Sequence, residues 1–325
     1  MYSRPRYSRR SVLAGLCALP VAMFGAAMGA PVISSALAAA SPDISAKSQQ
    51  KMLAELEASS GGRLGVAASV SNGGNVLSYR GNERFPMCST FKVLAASAVL
   101  RDKPGILEQR IHFAKSDIQP WSPVTEKHLE DGMTVSELCA AMLQHSDNTA
   151  ANLVLAQLGG PAGLTSIARS FGDTTFRLDR WEVELNTAVP GDARDTTTPL
   201  AMCRTLNGLL CGNLLKAPAR KQLTDWMLGC ATGAGRTPAG APQGWRSAHK
   251  SGSGENGTAN DVGVLLPPSN PEQATTRRGK NKPLVVALYL TGSKLTGPEN
   301  DKILAQATRL VCAAEGLATP LDNMY

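Results

Sequence analysis

Histidine is scarce in this 325-residue chain. There are four, His112, His128, His145 and His249, and they form no HxHxD cluster. That excludes a zinc hydrolase built on such a cluster. No internal repeat or heptad array is present, so solenoids and coiled coils are excluded too. The cysteines match neither a zinc-site spacing nor a small disulfide scaffold. The most apolar stretch is broken by Pro20, Gly25, Gly29 and Pro31 and dominated by small residues, which argues against a stable membrane anchor.

With 43% hydrophobic and 18% charged residues, the chain can build a large core in one domain or two lobes. The net charge of +7 points first to nucleic acid. Residues 1–40, however, hold Arg4, Arg6, Arg9 and Arg10 and no acid. Without them, 29 Lys+Arg face 26 Asp+Glu, or +3, so no nucleic-acid partner is expected. That leader has a basic start, an apolar stretch and small residues at Ala36, Ala38 and Ala40, the pattern of a secretory signal. Arg9-Arg10 before Ser11, Val12 and Leu13 resembles a twin-arginine signal; in an ordinary signal the arginines merely supply charge. Cys17 in "AGLC" resembles a lipoprotein cleavage site, but Leu16 is bulkier than the usual small residue. Cleavage is expected between Ala38 and Ser41, and the mature protein is expected in the periplasm. Six cysteines then remain: Cys88, Cys139, Cys203, Cys211, Cys230 and Cys312. An oxidising compartment allows three disulfides; buried free thiols are the alternative.

A helix is expected over "SPDISAKSQQKMLAELEASSGG", ending at Gly61-Gly62. "RLGVAASV" and "NVLSYR" are strand-like around the hairpin signal "SNGG". Helical patterns dominate 85–228, interrupted by "RLDRWEVELNTAVPGDARDTTTP", a structured surface loop of charges and turn residues. Strand signals return in "WRSAHKSG", "NDVGVLLP" and "PLVVALYLTG", and "SNPEQATTRRGKNKP" is a polar connector. "GPENDKILAQATRLVCAAEGL" closes as an amphipathic helix. The expected architecture is a sheet lobe from 41–84 and 229–325, with a helical lobe, 85–228, inserted and a cleft between them.

Within "PMCSTFKVLAASAVL", Ser89 precedes Lys92 by three residues, which on a helix puts both on one face. A lysine with a depressed pKa can activate a serine without histidine. The spacing alone is weak, because it recurs at Ser48–Lys51 and Ser247–Lys250, and Ser89 alone reads as an N-terminal helix hydroxyl. Ser146-Asp147-Asn148 alone reads as a capped helix start. Lys250-Ser251-Gly252 alone is a cation beside small residues, suited to a ligand carboxylate.

Ser-x-x-Lys, Ser-Asp-Asn and Lys-Ser-Gly in this order resemble the signature of class A β-lactamases and penicillin-binding proteins. The resemblance covers essentially the whole mature chain. It implies an α/β fold of the α+β type: an antiparallel sheet flanked by helices from both termini, plus an inserted all-helical lobe. It also implies a monomer that takes β-lactam antibiotics as substrates and needs no cofactor or metal. By resemblance, Ser89 is the nucleophile, and Lys92 and Glu182 share the proton traffic, with the acylation base left open. Ser146 relays a proton to the lactam nitrogen, and Asn148 contacts the substrate side-chain amide. Lys250, Ser251 and Ser253, flanking Gly252, meet the substrate carboxylate, and the N–H groups of Ser89 and Ser253 form the oxyanion hole. Glu182 and Asn186 would hold a deacylating water. Trp121 sits at the cleft mouth, Arg236 is a carboxylate-binding arginine, and Arg180 with Asp195 closes the catalytic loop 180–195. A DD-peptidase or a non-hydrolysing β-lactam sensor would share Ser89 and Lys92, but the Glu182–Asn186 pair argues against both.

Three departures stand out. Cys88 resembles the cysteine that class A carbapenemases bond to one after this last motif, but Gly254 stands at that second position, so that disulfide cannot form. Cys139 fits one half of the penicillinase disulfide, but Ala96 replaces the other half. His249 replaces the acid more usual before the motif lysine.

Overall fold

The computed structural model describes residues 46–71, 74–269 and 282–317. The export leader with Cys17, its cleavage point, residues 72–73 of the "SNGG" hairpin turn and most of the 269–283 connector lie outside the described residues.

Helix α1 (Ala46–Ser60) ends where expected, because Gly61 takes the left-handed conformation (φ 63°) and its N–H bonds the Ala58 carbonyl. Strands β1 (Arg63–Val70) and β2 (Asn75–Tyr79) pair antiparallel. The short strand β3 (Phe85–Pro86) follows, then a 3-10 turn over Cys88–Phe91 that runs directly into α2 (Lys92–Asp102). Every residue of α2 from Lys92 to Leu100 is buried, as fits a central helix that is apolar nearly all round.

Strands β4 (Arg110–Ile111) and β5 (Met133–Thr134) pair with each other ahead of α3 (Val135–Gln144). Thr134 and Glu137 form a capping box at the start of α3. Helices α4 (Asn148–Gln157) and α5 (Gly160–Ser170) complete this part. The loop after α5 returns through β6 (Thr196–Thr197), which pairs with β3. Then come α6 (Pro199–Leu210), α7 (Ala217–Leu228) and the short α8 (Thr237–Gly240). Strands β7 (Arg246–Gly254), β8 (Thr258–Leu266) and β9 (Leu284–Thr291) follow, and α9 (Gly297–Ala314) is the last helix described.

The main sheet has the order β2-β1-β9-β8-β7, antiparallel throughout. Strands from both ends of the chain therefore build it, as the sequence implied. Alternate residues of β9 serve two cores: Leu284, Val286, Leu288 and Leu290 pack with α1 and α9, while Val285, Ala287 and Tyr289 join the helical interior. Covering on both faces explains why β9 is apolar without alternation. The described residues belong to one compact unit.

Candidate active site

The fold separates the three Ser-x-x-Lys spacings. Lys51 lies exposed on α1 beside Glu55. Ser247 and Lys250 lie on a strand, where a separation of three points side chains to opposite faces. Only Ser89–Lys92 sits at the start of a buried helix.

Ser89 Oγ donates to Glu182 Oε1 at 3.3 Å, and the same oxygen lies 2.9 Å from Lys92 Nζ. One carboxylate oxygen thus joins the serine hydroxyl and the lysine ammonium. Lys92 also donates to the Ser146 carbonyl (2.8 Å) and Asn148 Oδ1 (2.7 Å). Lys92 is fully buried, and that desolvation holds its pKa below the usual lysine range, although the Glu182 charge and hydrogen bond oppose the shift. The ion pair survives burial because its partners satisfy the remaining donors.

Ser146 takes the left-handed region (φ 59°), and its Oγ accepts from Lys250 Nζ at 3.0 Å and from Lys92 Nζ at 3.5 Å. It bridges the two lysines. Burial first, and the Lys92 charge second, bring the Lys250 pKa down to about 7. Asp147, the middle residue of that motif, is fully buried and accepts from Val124 N, Thr125 N, Thr125 Oγ1 and Ala150 N. Its carboxylate locks the turn that presents Ser146 and Asn148. Asn148 is occupied at both ends, with Nδ2 donating to the Pro120 carbonyl at 2.8 Å and Oδ1 accepting from Lys92. Trp121 is 65% exposed at the cleft, and its Nε1–H donates to the His145 carbonyl.

Glu182 reaches the serine because its loop is tied at several points. Arg180 Nε donates to Asp195 Oδ2 at 2.6 Å, while the Asp179 and Arg180 N–H groups donate to Asp195 Oδ1 at 2.7 and 3.0 Å. Met87 N–H, two residues before Ser89, donates to the Asp195 carbonyl. Asn152 on α4 clamps Glu182 itself: its Oδ1 accepts from Glu182 N–H and its Nδ2 donates to the Glu182 carbonyl. Asn186 Nδ2 donates to Glu182 Oε2, and Asn186 Oδ1 is buried without a partner among the described residues. Asn152 and the Asp179 clasp escaped the sequence reasoning; helical spacing from Asn148 to Asn152 was the one available signal.

Strand β7 forms the opposite wall. A Cβ on Gly252 would lie 3.0 Å from the Met87 carbonyl and 3.1 Å from Thr90, so glycine lets β7 press on the turn carrying Ser89. Ser251 Oγ lies 2.7 Å from Thr232 Oγ1. Arg236 bonds Asp301 through Nε, donates to the Gly252 and Asn260 carbonyls, and reaches Ser253 Oγ at 2.8 Å. The resulting cleft, about 370 Å³, is lined by Ser89, Trp121, Ser146, Asn148, Asn186, Arg236 and Ser251 to Ser253, with Thr232 and Gly233 not foreseen. Lys92, Lys250 and Glu182 lie buried beneath it.

All six described cysteines are free thiols. Cys88 is fully buried, and burial, reinforced by the Glu182 charge, raises its pKa. The sulfur faces Gly254, whose ideal Cβ would lie 2.7 Å from it.

The beta-lactamase enzyme family model matches residues 48–314. Beta-lactamase OXY-1 of Klebsiella oxytoca is 45% identical over 90% of this chain and 97% of its own length. The carbapenem-hydrolyzing beta-lactamase KPC of the same organism is 47% identical over 81% of this chain and 87% of its own. Among solved structures, the last common ancestor of Gram-negative bacteria beta-lactamase class A (GNCA4) superposes with a TM-score of 0.76 at 52% identity, covering 82% of this chain and 98% of that one. The shared carboxylate oxygen between Ser89 and Lys92, on the fold these relatives share, leaves one assignment: the chain belongs to the class A β-lactamases and is a β-lactam hydrolase.

Proposed function

We propose that the enzyme opens penicillins and cephalosporins through an acyl ester on Ser89 and hydrolyses that ester with Glu182. One observation carries this: Glu182 Oε1 contacts both Ser89 Oγ and Lys92 Nζ while Oε2 accepts from Asn186. As Ser89 attacks the lactam carbonyl, its proton passes to the Glu182–Lys92 pair. The Ser89 and Ser253 N–H groups stabilise the oxyanion. When the ring C–N bond breaks, the Ser146 hydroxyl protonates the nitrogen and is replenished from a neighbouring lysine ammonium. Glu182 then takes a proton from a water that Asn186 Oδ1 orients, and that water attacks the ester. Lys250, Ser251 and Ser253, with Arg236 behind them, hold the substrate carboxylate. Asn148 and Trp121 flank the substrate side chain at the mouth.

A DD-peptidase or sensor is disfavoured by the placement of Glu182 against the nucleophile. A chromogenic cephalosporin tests the choice: sustained turnover supports the hydrolase, and one stoichiometric burst with no later turnover overturns it.

The division into a sheet lobe (41–84, 229–325) and a helical lobe (85–228) belongs to the same proposal, as does a monomer. The leader composition supports export to the periplasm by the twin-arginine route, with cleavage between Ala38 and Ser41.

A further inference from the structure

Beside the catalytic loop, away from the cleft, lies a second cavity of about 760 Å³. The two share no lining residue, and this one is larger than the cleft over Ser89. One wall is the loop segment Ala188 to Ala193. The other is built where β1 begins and β9 ends, with Asn256 of the β7–β8 turn and the residues around β3. The volume suits a small organic molecule.

Its charges favour an anion. Both acids in the lining are already neutralised: Glu83 is paired with Arg63 at 2.8 Å and Arg80 at 2.9 Å, and both oxygens of Asp192 accept from Arg194. Two cations in the lining, Arg84 and Lys294, have no carboxylate partner among the described residues. Both are anchored. Arg84 Nη1 donates to the Thr175 carbonyl and to Thr196 Oγ1, each at 3.0 Å, which leaves Nε and Nη2 unbonded among the described residues. Lys294 N–H donates to the Ser60 carbonyl at 2.9 Å, and the side-chain Cγ would lie 3.0 Å from a Cβ on Gly61. The lysine stem is therefore seated on the wall, with its ammonium unbonded among the described residues. The loop side is apolar, with Ala188, Val189 and Pro190 in the lining and Val189 49% exposed.

We propose that this cavity binds amphipathic organic anions, meaning aromatic or aliphatic carboxylates and sulfonates, and that an occupant braces the catalytic loop in its closed position. The acid group meets Arg84 and Lys294, and the apolar body lies against Val189 and Pro190. The cations lie outside the loop and the apolar residues lie on it. A ligand that touches both binds the closed loop better than an open one, and so shifts the loop toward closure. The two walls meet at Asn186. Ala188 follows it by two residues, and Glu255 N–H, next to Asn256, donates to its carbonyl at 2.8 Å. Asn186 Nδ2 in turn donates to Glu182 Oε2. Bracing therefore reaches the carboxylate beside Ser89; its consequence for turnover rests on the proposed hydrolysis.

The probe is anilinonaphthalene sulfonate, an aromatic anion whose fluorescence rises when it leaves water. The folded mature chain should bind it saturably with a Kd of about 10–100 µM, as fits a ligand of that size. Lys294→Gln and Arg84→Gln should each weaken binding about tenfold, the loss of one charge-assisted hydrogen bond. Lys294→Gln removes no bond made within the described residues, so it decides the matter even where Arg84→Gln fails to fold. Trp121→Ala, at the mouth of the other cleft, should bind the probe as the native chain does. Hydrogen exchange read by mass spectrometry follows the loop. With probe at about ten times its Kd, amide exchange over 180–195 should slow about tenfold, because an open loop forfeits the site. No saturable binding, binding that survives Lys294→Gln, binding lost with Trp121→Ala, or bound probe with unchanged exchange over 180–195 overturns the proposal. Fluorescence and exchange are read without hydrolysis, so they stand apart from the hydrolase assignment.

Discussion

Asp195→Asn isolates the closure of the catalytic loop from the chemistry at Ser89. In the native loop, Asp195 Oδ1 accepts two backbone N–H groups and Oδ2 accepts from Arg180 Nε. Asparagine keeps the first oxygen but turns an N–H toward the guanidinium. Asp195 is 1% exposed, so water cannot replace the lost acceptor. Losing one charge-assisted hydrogen bond in such a place costs about 1.5–3 kcal/mol. Charged to the closed loop, that depletes the population holding Glu182 in position by about 10- to 100-fold. The turn carrying Ser89 is also packed against Gly252 of β7, a contact the substitution leaves in place, so acylation should suffer less than deacylation. Rapid mixing with a penicillin, quenching and intact-mass measurement report the acylated fraction. The expected result is an accumulating acyl-enzyme, kcat down by about 10- to 100-fold, and KM down with it. Equal falls in kcat and kcat/KM, with no acyl-enzyme, would show that the clasp serves both steps and refute the reasoning.

Glu182→Ala should trap the acyl-enzyme, seen as a stable mass increase at Ser89; turnover at the wild-type rate would remove Glu182 from deacylation. In the proposed site Lys250 binds the substrate carboxylate as the ammonium, and its pKa is depressed to about 7. Binding is therefore complete below that value and lost above it, so kcat/KM for a penicillin should fall as pH rises through about 7 to 8. A bound carboxylate stabilises the ammonium and moves the limb in kcat higher; a kcat/KM profile flat to pH 9 would contradict this. Gly254→Cys should bond to Cys88, leaving five titratable thiols in the unfolded mature protein. Its Cβ would also lie 2.6 Å from the Asn186 carbonyl, so deacylation should change with it. Replacing Arg9 and Arg10 together by lysine should leave precursor in the cytoplasm; undisturbed export would indicate the general secretory route.

Much of the local structure was legible because its causes are local. Thr134 and Glu137 announce the start of α3, Gly61 ends α1, and alternation or apolar runs mark the strands. Less visible were the paired dipeptides β3–β6 and β4–β5, which are too short to carry a period. The 3-10 turn under Ser89 was hidden in a pattern that reads as continuous helix.

Taken alone, the sequence determined the order of the elements and the three short motifs that mark the family. It did so because helix caps, turns and side-chain periodicity act over a few residues. The tertiary structure set Ser89–Lys92 apart from the other two Ser-x-x-Lys spacings, by burying Lys92 and bringing a carboxylate to it from the loop after α5. It decided that Asp147 builds a turn rather than reacts, that Asn152 clamps Glu182, and that Cys88 stays a free thiol. It also paired His249, an unexplained substitution in the sequence, with the buried Asp261 on the neighbouring strand. Each of those contacts depends on strand register and loop closure, which join residues that no local pattern relates.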